Sequence, residues 1–259
     1  MTKWENNKSY YLSPLENTLD EVVFTPNENK DYTILRGFFR SYQTEDAVAK
    51  YYSDGIMEYY IPKDENKNIK QNVVEYRVFE NKKNQQKKRI VDVSIDNFNL
   101  PFLNKKPLSH LENASNALEI NYKNNHIILS KDFIIDKTKI FNLLGYRIQM
   151  INNIKIEEHN SDNLPITQKE LVKSIQYINL NFKHKKDDRY KNIETIYEFY
   201  TLEKTFCSNK EFKRKKRKFN TYHKSKSYYT DKYWEKINKN IPPLIKPIEN
   251  QLYNNLEEN

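Results

Sequence analysis

Residues 32–43 read YTILRGFFRSYQ, and residues 51–62 read YYSDGIMEYYIP. Both runs are rich in aromatic side chains, and apolar residues alternate along them with polar or charged ones. Such alternation places one face of a β-strand on a core and the other face in water. Because the polar segment QTEDAVAK separates the runs, the pattern predicts a long β-hairpin. The hairpin is a scaffold, since none of its residues has to perform chemistry.

Four later stretches also have the composition of strands. They are residues 73–79, 146–156, 177–182 and 193–206. Each contains β-branched or aromatic residues that alternate with polar ones, as in a strand with one face in water. The sequence therefore predicts a mainly β protein, with a curved antiparallel sheet or half-barrel and one or two short helices.

Two segments carry signals of a helix start. Ser109 opens a capping-box spacing that predicts a short helix over residues 109–118. Thr167 and Glu170 have the same spacing, and apolar residues follow them at helical intervals as far as Ile175. We expect this second helix to connect two strands.

The composition argues against several kinds of functional site. The three glycines stand far apart, so the chain has no glycine-rich phosphate loop. One cysteine, Cys207, excludes an internal disulfide, and no two of the five histidines have the spacing of metal ligands. The carboxylates and serines lack the arrangements of known hydrolases. We therefore expect no enzyme activity, no cofactor and no metal.

Most of the net charge of +9 is concentrated in one segment. Seven Lys or Arg and one acid lie between Lys210 and Lys218, a local net charge of +6. Such a segment could bind a phospholipid or lipopolysaccharide surface, or nucleic acid. It is equally typical of a solvated, disordered loop or of a lysine-rich edge that prevents sheet aggregation. The candidate anion-binding residues are Lys213, Arg214, Lys215, Lys216, Arg217 and Lys218.

By composition the chain divides into four segments. They are a linker or remnant of an upstream β-sandwich (1–30), an antiparallel β domain (31–206), a basic loop (207–227) and a C-terminal tail packed on the sheet (228–259). In the tail, we expect Trp234 to pack on the sheet and anchor the C-terminus, with Thr230 or Asp231 capping a short helical turn. The last six residues are expected to be frayed.

Three stretches of the chain carry a resemblance to known proteins. They are LDEVVFTP at 19–26, the aromatic hairpin from RGFFRSYQ to YYSDGIMEYYIP, and SYYTDKYWEKIN followed by PPL. Together they resemble an uncharacterised family of envelope proteins with a carboxypeptidase-regulatory-like N-terminal domain. The resemblance implies a large half-barrel sheet of the lipoprotein-carrier type, often beside TonB-dependent receptors and without assigned catalysis. It implies a location in the periplasm or at the periphery of the outer membrane. The chain has no signal peptide, so if it is complete we expect a cytoplasmic protein.

These observations favour a non-catalytic binding or scaffold module of the cell envelope, without a transmembrane segment. Its partner would be an envelope protein, or a lipid or glycan in the concavity of the sheet. Because aromatic rings pack on acyl chains and sugars alike, the candidate ligand contacts are Phe38, Tyr52 and Tyr60. Ordinary packing in the core is the competing explanation for these rings. The alternative function is nucleic-acid binding through the basic run at 210–218.

Overall fold

A computed structural model describes most of the chain. The described residues are 30–81, 99–108, 118–123, 126–132, 140–161, 166–237, 241–244 and 246–259. Two predictions lie almost wholly outside them: the linker or sandwich remnant at 1–30, of which only residue 30 is described, and the helix at 109–118, of which only Leu118 is described, as the first residue of a strand.

The described residues contain ten strands in one antiparallel sheet, which confirms the mainly β fold. The strands are β1 (Tyr32–Glu45), β2 (Val48–Pro62), β3 (Lys70–Glu80), β4 (Leu118–Lys123), β5 (His126–Asp132), β6 (Phe141–Leu143), β7 (Tyr146–Asn160), β8 (Leu171–His184), β9 (Lys191–Cys207) and β10 (Glu257–Glu258). Their order across the sheet is β10-β3-β2-β1-β9-β8-β7-β5-β4, and β6 pairs with β7. Within the described ranges the two outermost strands do not pair with each other, so the sheet is open.

Helices are few and short. The described residues contain three of them, where one or two were expected: α1 (Asn209–Lys216), α2 (Tyr233–Lys236) and α3 (Lys246–Asn255). No helix in these ranges has the length and apolar character that crossing a bilayer requires.

The aromatic hairpin forms as predicted. Strands β1 and β2 pair along their whole length, from Tyr32 opposite Pro62 to Glu45 opposite Val48. Asp46 and Ala47 make the turn, and both have positive φ. This geometry matches the right-handed twist of the strands that it joins. The strands therefore continue through most of the polar segment that was expected to separate them.

Two glycines in the hairpin let aromatic rings pack directly on the backbone. A Cβ atom on Gly37 would lie 2.5 Å from the ring of Phe199, and one on Gly55 would lie 2.6 Å from the ring of Phe39. Neither distance is tolerable for a real side chain. Glycine at these positions thus creates the space for two buried phenylalanines.

The connection before β8 differs from the expected helix. The capping box forms, because the Thr167 side chain accepts a hydrogen bond from the backbone and the Glu170 carboxylate accepts one from the Thr167 N–H at 3.0 Å. However, only one 3-10 turn, Gln168–Glu170, follows it, and the chain enters β8 at Leu171. Pairing with β7 on one side and β9 on the other satisfies the backbone of β8. These long-range pairings override the local helical spacing.

The C-terminal part of the chain covers one face of the hairpin, which we call the C-terminal face. Phe212 of α1 packs at the start of β1, on Tyr32 and Ile34. Tyr233 of α2 packs at its middle, in a cluster with Phe38. At the end of β1, Tyr42 and Tyr52 lie in a cluster with Ile248 and Leu256 of the last segment. The described parts of the tail, 228–237, 241–244 and 246–259, therefore contain three segments that pack on or pair with the sheet.

The last residues are paired rather than frayed. Glu257 and Glu258 form β10 opposite Glu80 and Phe79 of β3, and the Asn259 N–H donates to the carbonyl of Val78 at 2.9 Å. The outer edge of β3 would otherwise expose unpaired backbone groups, which are a risk for aggregation. Covering that edge orders the C-terminus.

Beneath α2, four charged residues of alternating sign lie side by side across four strands. In the register, Arg40 on β1 lies opposite Asp54 on β2 and opposite Glu198 on β9. Asp54 in turn lies opposite Arg77 on β3. We call Glu198, Arg40, Asp54 and Arg77 the charged row. Arg40 forms an ion pair with Glu198, and Arg77 donates to both carboxylate oxygens of Asp54, at 3.0 and 2.5 Å.

The C-terminal segment completes the hydrogen bonds of the charged row. The Tyr233 hydroxyl donates to Asp54 Oδ1 at 2.6 Å, and Arg40 Nη1 donates to the carbonyl of Pro242 at 2.8 Å. Burial, followed by the negative charge of Asp54, raises the pKa of Tyr233 far above its usual range. The hydroxyl therefore remains a donor at all physiological pH values.

The expected anchoring role of Trp234 falls mainly on its neighbour Tyr233. Trp234 is half-buried, packs with the cluster around Phe38, and has the guanidinium of Arg77 4.0 Å from its ring centre. Tyr233 is fully buried and bonds to the charged row. The expected cap is absent, because Lys232 occupies the N-cap position without a side-chain bond.

We predict that Tyr233→Phe lowers the free energy of unfolding by about 1.5 to 3 kcal/mol, the usual effect of losing a hydrogen bond to a buried charge. Urea unfolding with an unchanged slope would measure it. The control is Tyr229→Phe, which removes the hydroxyl of an exposed tyrosine four residues before Tyr233. It should change stability by less than about 0.5 kcal/mol. Equal effects of the two substitutions would contradict the role assigned to Tyr233.

Candidate functional site

The basic run is a helix, not the loop that its charge suggested. Helix α1 begins after Ser208, whose side chain accepts a hydrogen bond from the Glu211 N–H, while Glu211 accepts one from the Ser208 N–H at 2.8 Å. This capping box satisfies the free donors of the first turn. The backbone bond from Ser208 lowers the pKa of Glu211, so its carboxylate stays charged. Arg217 and Lys218 continue the charged surface past the end of α1.

Aromatic contacts fix α1 to the sheet. Phe212, its one buried residue, stacks on Tyr32 with the ring centres 4.1 Å apart. Phe212 also lies 5.5 Å from the ring of Tyr60, and Phe219 lies 5.0 Å from that ring on the far side of the basic run. The helix is therefore held at Phe212, and the chain after it at Phe219, against the adjacent ends of β1 and β2. Its position explains why the five like charges of the helix do not unfold it.

All the cations of the run point into solvent. The side chains of Lys210 and of the six candidate residues, Lys213 to Lys218, are exposed. None of them forms an ion pair with any residue in the described ranges. At 3.6 residues per turn, the face opposite Phe212 carries a stripe at i, i+3, i+4 and i+7. The stripe consists of Lys210, Lys213, Arg214 and Arg217.

This stripe can bind anions without rearranging. Guanidinium groups bind phosphate with two parallel hydrogen bonds, and lysines add mobile point charges. A docked helix loses less conformational entropy on binding than a disordered loop with the same composition. The geometry is therefore that of a preformed surface for phosphate groups, about two helical turns long.

The candidate ligand-facing aromatics are buried beneath the C-terminal segment. Phe38 is 4%, Tyr52 5% and Tyr60 1% exposed. They contact α2, the last segment and α1 respectively. An acyl chain or sugar could reach them only by displacing these segments. The competing explanation, ordinary packing in the core, is the one that their positions support.

Cys207 is a buried thiol at the end of β9, next to Phe212. Burial raises its pKa, which keeps it protonated and poorly nucleophilic. Within the described ranges, no group of three or more His, Cys, Asp or Glu is placed to hold a metal ion.

A second buried cluster of charges lies on β7. Glu157 pairs with Lys155 at 3.0 Å and has His159 Nε2 3.5 Å away. Its Oε2 also accepts a hydrogen bond from the Leu108 N–H at 3.0 Å. Burial alone would raise the pKa of Glu157, but the interactions with His159 and Lys155 outweigh it and lower the pKa to about 2. This carboxylate fastens the segment at 99–108 to the sheet.

Comparisons with known proteins add no identification. Neither protein-family models nor curated protein sequences match this chain. The residues of α1 and their geometry are consequently the basis for assigning a function.

We predict that Glu157 makes the protein sensitive to acid. A carboxylate whose pKa falls on folding from about 4.5 to about 2 stabilises the fold fully above pH 4.5, and this stabilisation is lost as the pH falls toward 2. The shift corresponds to about 3 kcal/mol. Urea unfolding at pH 6, 4 and 3 should show a steeper loss for the wild type than for Glu157→Gln.

Glu65→Gln, at an exposed position after β2, is the matched control and should follow the wild-type pH profile. If Glu157→Gln also follows that profile, the buried carboxylate does not carry the acid sensitivity.

Proposed function

We propose that this protein is a non-catalytic binding module whose working surface is the stripe of α1 and whose ligand is a polyanion bearing phosphate groups. The observation that carries the proposal is the exposure of seven cations along the basic run, five of them on a helix that is docked by Phe212 and two just past its end. Exposed cations at neighbouring positions repel one another, and a phosphate-bearing ligand would relieve that repulsion. The module holds its partner as a scaffold rather than carrying a cargo in its core.

Two sources of phosphate are consistent with this surface. Within the envelope location that the sequence resemblance implies, the source is an anionic phospholipid or lipopolysaccharide, for which a cluster of four to eight Lys and Arg is typical. The second source is nucleic acid. Arg214 and Arg217, one turn apart on the stripe, favour it because paired guanidinium groups suit successive backbone phosphates.

The decisive experiment replaces three residues of the stripe together: Lys213→Gln, Arg214→Gln and Arg217→Gln. Binding to single-stranded and duplex nucleic acid, and to lipopolysaccharide, is measured at several salt concentrations. For nucleic acid, each lost phosphate contact lowers the slope of log K against log salt by about 0.7 to 0.9, so the triple variant should lose up to about 2 to 3 from that slope. The ligand whose binding collapses in this variant is the source.

Two control proteins sharpen the result. Lys106→Gln, Lys226→Gln and Lys246→Gln together remove the same charge from exposed positions outside α1, and should leave the slope nearly unchanged. Phe212→Ala keeps every cation but removes the anchor of the helix, so it should weaken binding if the surface has to be preformed. If the two triple variants behave alike, binding follows net charge and the proposal fails.

A further inference from the structure

A second exposed surface lies at the opposite end of the sheet from α1. The short hairpin of β6 and β7 ends in four exposed apolar residues, which we call the apolar tip: Ile140, Phe141, Leu143 and Leu144. Phe141 is 62%, Leu143 54% and Leu144 77% exposed. Isolated exposed apolar residues are ordinary, but four within five positions form a contiguous patch and indicate an interaction site.

Leu144 adopts a backbone conformation that is unfavourable for leucine. It makes the hairpin turn with Gly145, and both residues have positive φ, 50° and 87°. Leucine rarely adopts this left-handed conformation, and asparagine or glycine is the usual first residue of such a turn. Leu144 therefore benefits neither the stability nor the solubility of the isolated protein. A residue with that combination of costs points to a role outside the fold.

Cations surround the apolar tip. The register places Tyr146 opposite His184, so the β8–β9 turn lies beside the tip, and the Lys185 N–H donates to the Gly145 carbonyl at 2.8 Å. Together, residues 140–147 and 183–189 hold five Lys or Arg and two acids. The five are Arg147, Lys183, Lys185, Lys186 and Arg189.

We propose that the apolar tip inserts into the surface of an anionic lipid bilayer while the cations of the β8–β9 turn bind the lipid headgroups. Apolar side chains beside Lys and Arg are the combination that interfacial membrane binding uses. The tip is a short hairpin turn, and four side chains are too few for a standard protein interface of about 800 Å² per partner. A lipid surface therefore fits this tip better than a second protein.

Leu144→Asn is the most direct test, because asparagine favours the left-handed conformation and should preserve or strengthen the turn. Sedimentation with vesicles of phosphatidylcholine, with and without phosphatidylglycerol, measures binding. The wild type should bind the anionic vesicles more tightly than the neutral ones. Leu144→Asn should weaken that binding by about tenfold or more, the usual contribution of a buried leucine. Phe102→Asn removes another exposed apolar ring, 67% exposed on the 99–108 segment, and should bind as the wild type does.

A fluorescent label separates insertion of the tip from binding through α1. In Leu144→Cys, an environment-sensitive dye reacts at position 144 alone, because the natural Cys207 is buried. Its emission should rise and shift to the blue on anionic vesicles, and should still do so when Lys213, Arg214 and Arg217 are replaced by glutamine. That result would support insertion of the apolar tip into the bilayer, independently of what α1 binds.

Three outcomes would overturn the inference. The emission of the dye at position 144 could stay that of a dye in water while the protein is bound to vesicles, which would mean that another surface makes the contact. Leu144→Asn could bind vesicles as tightly as the wild type. Finally, Leu144→Asn could change the oligomeric state in analytical ultracentrifugation without changing vesicle binding, which would make the tip a contact between copies of the chain.

Discussion

The charged row is the constraint on which the C-terminal half of the structure depends. Arg40, Asp54 and Glu198 are buried, and Arg77 is half-buried. Burying a charge costs several kcal/mol for each ion, and the cost is recovered only when every charge meets opposite charges and further hydrogen bonds. Across β9, β1, β2 and β3, the alternation of Glu198, Arg40, Asp54 and Arg77 supplies the opposite charges. A shift of one residue in any of these strands would turn its charge to the other face of the sheet. The row thus selects one register for four strands.

The same row requires the C-terminal segment as its cover. Opposite charges alone leave hydrogen-bonding positions on Asp54 and Arg40 unused, and Tyr233 and Pro242 fill them. The cover in turn buries the aromatic rings of the hairpin and sets α1 against Tyr32. Because β1 has 14 residues, at about 3.3 Å per residue its two ends lie about 45 Å apart. The basic helix lies at the end where β1 begins, and the apolar tip lies at the opposite end of the sheet on β6 and β7, three strands away from β1. The two surfaces can therefore engage different partners.

The sequence predicted the sheet well because alternation is a local property. The hairpin and the strands β3, β7, β8 and β9 all follow from residues two apart. The charged row was missed because each member, taken alone, looks like a residue on the wet face of a strand. Only the pairing between strands brings them together. Register is a long-range property, and no local pattern encodes it.

The helices were harder to predict, for reasons that differ from one to the next. For α1, the sequence does contain a helix signal, which the high charge of the run outweighed in the prediction. Ser208 and Glu211 have capping-box spacing, and Phe212 is the apolar residue that anchors the helix. Helix α3 contains Pro247, and proline usually interrupts a helix. Pro247 lies in the first turn, where its absent N–H costs no hydrogen bond. The expected helix after Thr167 does not form because the residues from Leu171 onward pair as a strand with β7 and β9.

Hydrogen exchange of the α1 amides tests the central claim most directly, namely that the C-terminal segment is a packed part of the sheet and holds the basic run as a fixed surface. The amides of Lys213 to Lys216 should be protected about a hundredfold or more relative to an unstructured peptide. That protection should disappear in Phe212→Ala while the amides of β1 remain protected. Exchange of these amides at the rates of an unstructured peptide in the wild type would show that the basic run is a mobile loop, and would contradict the account.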